Sequence, residues 1–102
     1  MKREQFAELF SKGSNIKETH IVLYYSIGEG NIGFATSKAI GSHPKRNRIK
    51  RRLKELVRKH HFPEGLKFNL VLLARKNAFQ ASFSQLNSEL LHLKQVLNHI
   101  DG

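Results

Sequence analysis

The apolar positions change period several times along the chain, and each change marks an element. Over about Lys2 to Lys12, Phe6, Leu9 and Phe10 stand at i, i+3 and i+4, the spacing of one helical face, and Gly13-Ser14-Asn15 stops the helix. From His20 to Ile27 the period is two. Ile21, Leu23, Tyr25 and Ile27 alternate with Val22, Tyr24 and Ser26, which predicts a strand with apolar groups on both faces. Gly28-Glu29-Gly30-Asn31 is a turn cluster and predicts a hairpin into a second strand, Ile32 to Ser37. Ile40-Gly41-Ser42 breaks that strand. Helical spacing returns with Ile49, Leu53, Leu56 and Val57 over about Pro44 to His60. Pro44 is tolerated in the first turn, where backbone N–H groups lack helical partners. Phe62-Pro63-Glu64-Gly65 closes this helix, and the unbroken run Leu70-Val71-Leu72-Leu73-Ala74 reads as a strand buried on both faces. A last helix opens with the capping-box pattern Ser82-Phe83-Ser84-Gln85. Its stripe of Leu86, Leu90, Leu93, Leu97 and Ile100 is suited to packing on a sheet. Helix, strands, helix, strand, helix predicts an α+β sandwich, a single domain over residues 1–102.

Composition narrows the class. Of 102 residues 39% are hydrophobic, enough for a packed core. Cysteine is absent, which removes disulfide and thiolate-metal frameworks and fits a reducing, cytoplasmic setting. Met1-Lys2-Arg3-Glu4-Gln5-Phe6 carries no apolar signal core, and no apolar run approaches a membrane span. Eighteen Lys and Arg against eight Asp and Glu give a formal charge of +10, a field that favours polyanions.

Most of that charge sits on one helix. Lys45 to Lys59 holds nine basic residues and one acid, Glu55, and so carries +8 of the +10. At about 100° per residue from Ile49, Leu53 and Leu56 flank zero and Val57 lies at about 80°. Lys50, Lys54, Asn47, Arg58, Arg51 and Arg48 sweep roughly 100° to 260°. A solvated face would interleave acids at i+4 to limit self-repulsion. This one is arranged for phosphate. Arg46, at about 60°, falls at the border of the apolar face, where it must snorkel or line a groove in which a ligand or Asn47 meets its five donors. Asn47 is a poor interior helix residue, and its amide is better suited to recognition. Among the aromatics, Phe6, Phe10 and Tyr24 could serve either core or groove. Gly33 and Ala35 form a small-residue row that leaves room for a concavity. Aromatic faces beside a basic helix would hold single-stranded RNA by stacking bases and pairing phosphates.

These residues resemble a known family. Arg46-Asn47-Arg48-Ile49-Lys50-Arg51-Arg52-Leu53-Lys54-Glu55 is similar to the RNR signature of the bacterial ribonuclease P protein family. Ile32-Gly33-Phe34-Ala35-Thr36-Ser37-Lys38-Ala39-Ile40-Gly41 resembles the strand and turn before it. Pro63-Glu64-Gly65 with Leu70-Val71-Leu72-Leu73-Ala74-Arg75 resembles the strand after it. Phe6, Phe10, Gly13 and Val22-Leu23-Tyr24 fall at matching spacings, so the likeness runs the length of the chain. It implies an α-β-β-β-α-β-α sandwich like the second domain of ribosomal protein S5, with a left-handed βαβ crossover against the usual preference. It also implies contact with catalytic RNA through Lys38, Lys45, Arg46, Asn47, Arg48, Lys50, Arg51, Arg52, Lys54 and Arg58. Phe6, Phe10 and Tyr24 would line a cleft for the 5′ leader of precursor tRNA. The RNA subunit, with Mg²⁺ bound mainly by that RNA, would cut the phosphodiester and leave the mature tRNA 5′ end. The protein would supply no catalytic residue and no metal ligand, and would need no further protein partner. Ala39, Ser42-His43-Pro44 and Asn69 depart from the family pattern.

Rival readings are weaker. A nonspecific basic RNA-binding or ribosome-associated protein shares the charge argument but not the motif series. Six histidines invite a metal-dependent nuclease, yet no HxxxH, HxH or DxD pairing occurs, and hydrolysis needs positioned metals or acid–base groups. A membrane-surface helix would need a wider apolar stripe and an interfacial Trp, of which the chain has none.

Overall fold

The computed structural model describes residues 3–62 and 67–101. Helix α1 (Arg3–Lys12) leads into strands β1 (Ser14–Lys17), β2 (Ile21–Ile27) and β3 (Ile32–Thr36). Helix α2 (His43–Lys59), strand β4 (Phe68–Ala74) and helix α3 (Phe83–Asp101) follow, with short 3-10 turns at Lys38–Ile40 and Lys76–Gln80. This is the expected α+β order, helix, three strands, helix, strand, helix.

Two sequence expectations about the strands need correcting. Gly13-Ser14-Asn15 is more than a helix stop, because β1 begins at Ser14 and pairs antiparallel with β2, Ile16 opposite Leu23. Gly13 makes the direct passage possible. Its N–H donates to the Leu9 carbonyl at 3.0 Å. A Cβ there would stand 2.5 Å from that oxygen and 3.1 Å from the Tyr25 carbonyl. The hairpin between β2 and β3 does not form. Sheet order is β1-β2-β4-β3, with β4 antiparallel to β2 and parallel to β3. Burial explains the insertion: Leu70, Val71, Leu72 and Ala74 are buried, with alternate members on opposite faces, so β4 is most stable in the sheet interior. Asn69 then ties the Gly28–Asn31 loop to β4, its Oδ1 accepting the N–H groups of Glu29 and Asn31, both at 3.2 Å.

One sheet face carries the main core. Ile21, Leu23, Leu70, Leu72 and Ala74 meet Ile49, Leu53, Leu56 and Val57 of α2 and Leu86, Leu90, Leu93 and Leu97 of α3. The capping box closes α3: Ser82 N–H donates to Gln85 Oε1 at 2.8 Å and Gln85 N–H donates to Ser82 Oγ at 3.1 Å. Ile100, expected to complete the apolar stripe, is instead half exposed (49%). After α2, Phe62 is buried and its N–H donates to the Val57 carbonyl at 3.0 Å. The proposed closing residues Pro63-Glu64-Gly65 lie outside the described residues.

Glu89 of α3 fastens the start of β2. Its Oε1 accepts the N–H groups of His20 (2.7 Å) and Ile21 (3.2 Å), while Oε2 lies 2.5 Å from His20 Nδ1. The opposite sheet face holds α1 through Leu9, which is buried, as are Val22 and Val71 of the sheet.

Candidate nucleic-acid interface

Helix α2 separates its residues as the angular pattern requires. Ile49, Leu53, Leu56 and Val57 are buried, whereas Asn47, Arg48, Arg51, Lys54 and Arg58 are exposed. Lys50 and Arg52 are half-buried at the two edges of the apolar stripe. Pro44 occupies the first turn, and neither that turn nor the last contains an acid. The cations therefore dominate the outer surface, which a single exposed acid, Glu55, interrupts. Pro44, Asn47, Arg48, Arg51, Arg52 and Glu55 line a groove of about 460 Å³ along it. Such a surface repels itself unless counterions or a polyanion neutralise it. Arg46 sits where its helical direction puts it, half-buried at the inner border, and its Nε is buried without a hydrogen-bond partner. An unmet charged donor in that position is costly for an isolated protein.

Two other cations of α2 lie over aromatic rings. Lys54 Nζ stands 5.8 Å from the centroid of Phe34, and Lys45 Nζ stands 5.0 Å from that of Phe79. The ring quadrupoles favour both positions and hold the ammonium groups at the surface. Lys38 is exposed on the 3-10 turn that leads to α2. The basic residues expected from the sequence thus fall on one helix and its approach.

The aromatics assemble on the other face of the sheet. Register places Asn15, Tyr24, Val71 and Gly33 in one row across the four strands. Helix α1 lies over this row. Phe10 meets Tyr24 edge-on with ring centroids 4.8 Å apart, and Phe6 lies 6.4 Å from Phe10. Phe6 rests directly on Gly33, where an added Cβ would come within 2.4 Å of Phe6 Cζ. The small-residue row is therefore a seat for a ring at Gly33. The next row, Lys17, Val22, Leu73 and Ala35, continues the floor, with Leu73 and Ala35 only half-buried. Phe10 is 41% exposed and Tyr24 half-buried, so both present ring surface to solvent while Leu9 anchors the helix beneath them. Gly33 as the seat of Phe6 is a site residue that periodicity cannot identify; its only sequence signal is a glycine inside a strand pattern.

Three of the histidines have clear structural partners. His20 pairs with Glu89 and His92 with Glu18 (2.9 Å), while His60 Nε2 lies 2.6 Å from Asn87 Oδ1. Among the described residues, no three His, Asp or Glu side chains gather as a metal-binding group. Nor is any described helix long and apolar enough to cross a membrane.

Comparison with known proteins agrees with this geometry. Residues 1–98 match the family model described as Ribonuclease P. The ribonuclease P protein component of Pelotomaculum thermopropionicum is 33% identical over 97 residues, covering 90% of this chain and 85% of that protein. Among solved structures, the Staphylococcus aureus RNase P protein superposes with a TM-score of 0.81 at 24% identity, covering 94% of this chain and 91% of the other. A mutant of the Staphylococcus aureus protein with defective mRNA degradation activity gives a TM-score of 0.80 at 25% identity, over 94% and 84% of the two chains.

Proposed function

The chain belongs to the ribonuclease P protein family, and on that premise we propose that it binds the catalytic RNA through α2 and the 5′ leader of precursor tRNA through the α1 cleft. The observation that carries this reading is the densely cationic face of α2, interrupted by a single acid, Glu55, with the buried, unpartnered Nε of Arg46 at its inner edge. Phosphate oxygens would meet that donor and neutralise the face. Asn47, exposed beside it, offers an amide to a base edge or a 2′-hydroxyl. In the cleft, Phe10 and Tyr24 would stack leader bases, and Phe6 would hold the cleft open by resting on Gly33.

Mg²⁺ would be held mainly by the RNA subunit. In this reading the RNA subunit performs the hydrolysis, in the cytoplasm, and the protein's contribution is to position substrate and RNA and to reduce their mutual repulsion. A second reading, RNA hydrolysis by the chain itself, draws support from the mRNA degradation activity named for the Staphylococcus aureus protein. Against it stands the lack, among the described residues, of any three His, Asp or Glu side chains gathered as a metal-binding group. The test of the proposed function is a pair of titrations of the holoenzyme, with precursor and with mature tRNA. Tighter binding of the precursor, lost on shortening the leader, supports it; equal affinity for both removes the leader cleft.

A further inference from the structure

A second basic surface lies beyond the end of β4. Arg75, Lys76, Asn77 and Gln80 line a depression of about 320 Å³ on the 3-10 turn Lys76–Gln80 and its approach. All four are exposed, yet the rim is not loose. Arg75 Nη1 donates to the Glu18 carbonyl at 2.9 Å and Asn77 Nδ2 to the Thr19 carbonyl at 3.1 Å, pinning the turn to the β1–β2 loop. Backbone bonds add to this: Arg75 N–H donates to the His20 carbonyl and Ala78 N–H to the Arg75 carbonyl, both at 2.9 Å. Ala78 is buried beneath the turn. A ligand here would meet an ordered surface and lose little additional entropy on binding.

The depression adjoins the N-terminal end of α2. Lys45 lies over Phe79 of this turn, and the 3-10 turn bearing Lys38 packs against it. Four cations, Lys38, Lys45, Arg75 and Lys76, therefore share one corner. Acids are missing from the sequence around them: neither 30–54 nor 65–88 contains an Asp or Glu. The neighbouring acid, Glu18, pairs its carboxylate with His92 of α3.

We propose that this corner is a second contact for an RNA sugar–phosphate backbone, continuous with the α2 face, in which Lys76 and Arg75 take phosphates and Asn77 and Gln80 take ribose hydroxyls. The inference rests on the RNA-binding reading above and extends its footprint around the end of the sheet. Backbone contacts of this kind fix register and orientation without reading sequence. Because the corner continues the α2 face, the backbone it takes is that of the catalytic RNA, and binding to precursor tRNA is the control.

Lys76 is the residue to change, because Arg75 and Asn77 also hold the loop. The full-length protein carrying Lys76→Ala, and separately Lys76→Arg, is titrated with catalytic RNA and, in the holoenzyme, with precursor tRNA across a salt series. Melting curves are recorded alongside. For Lys76→Ala the logarithmic salt slope should fall in magnitude by about 0.7–0.9 with catalytic RNA, equivalent to roughly a five- to eightfold loss of affinity at 0.1 M salt, and stay unchanged with precursor tRNA. Lys76→Arg should keep the wild-type slope, and both variants should melt with wild type. An unchanged slope for Lys76→Ala with catalytic RNA, while Arg48→Ala still lowers it, overturns the corner and leaves the α2 reading intact. Unchanged slopes for both alanine variants would remove the two together. Equal loss in Lys76→Ala and Lys76→Arg would also overturn the proposal, since a phosphate contact requires only the charge.

Discussion

Gly33→Ala probes the one contact on which the geometry of the cleft depends. The new Cβ would lie 2.4, 2.9 and 3.1 Å from Cζ, Cε1 and Cε2 of Phe6. Nonbonded carbons settle at about 3.5–4.0 Å, so the ring must retreat by roughly an ångström or α1 must lift. Overpacking of this kind costs about 1–3 kcal/mol. The lower part of that range applies, because Phe6 is only half-buried and its ring can swing. Replacing glycine within a strand recovers about 0.5–1 kcal/mol of backbone entropy. The net loss is therefore about 0–1.5 kcal/mol, a fall in Tm of up to roughly 12 °C for a chain of this size. The assay is a double-mutant cycle in thermal or urea unfolding. In a Phe6→Ala background the clash is gone, and Gly33→Ala should become neutral or stabilising, giving a coupling of about 1 kcal/mol or more. Precursor tRNA affinity should fall in Gly33→Ala while affinity for mature tRNA holds. Equal effects of Gly33→Ala with and without Phe6 would show that the ring does not sit on this residue, and would refute the proposed geometry of the cleft.

Phe10→Ala and Tyr24→Ala should each weaken precursor tRNA binding by about 1–3 kcal/mol if each ring stacks one base, with mature tRNA unaffected. For Phe10, 41% exposed, the stability loss should stay below the roughly 3–5 kcal/mol of a buried aromatic, as melting curves will check. The triple variant Arg48→Ala, Lys50→Ala, Arg51→Ala should lower the salt slope for catalytic RNA by about 0.7–0.9 for each phosphate left without its cation. Its Tm should hold or rise as self-repulsion eases; an unchanged slope with unfolding would make these side chains structural. Glu89→Ala should destabilise by about 1–3 kcal/mol in urea melts, because it strands the His20 and Ile21 N–H groups, and should leave the RNA affinity of the folded fraction unchanged.

Local pattern made much of this architecture legible. The periodicity of α2 and α3, the apolar run of β4 and the Ser82–Gln85 cap each depend on residues within a few positions of one another. The α2 basic face was legible for the same reason, as was the borderline position of Arg46. What the pattern missed depends on distant partners. β1 carries one half-buried residue, Ile16, in an edge strand too short and polar to show alternation. The Gly28–Asn31 cluster resembles a hairpin turn, and only β4, some 40 residues further along the chain, reveals that the two strands are parted by a third. Gly33 becomes a seat for Phe6 only when α1 folds across the sheet. The Arg75–Gln80 corner arises from loops that meet at the end of the sheet, and its sole sequence trace is an acid-free stretch.

The central claim, that this protein assists an RNA catalyst and does not cut precursor tRNA itself, is tested most directly by reconstitution. Rigorously RNA-free protein, the catalytic RNA from the same source, and the two together are incubated with precursor tRNA at low Mg²⁺, and the 5′ end of the product is mapped. The predicted result is no 5′ maturation by the protein alone, little by the RNA alone at that concentration, and accurate release of the leader by the two together. Cleavage at the mature 5′ end by protein alone, or a mixture no more active than the RNA alone, would contradict the claim.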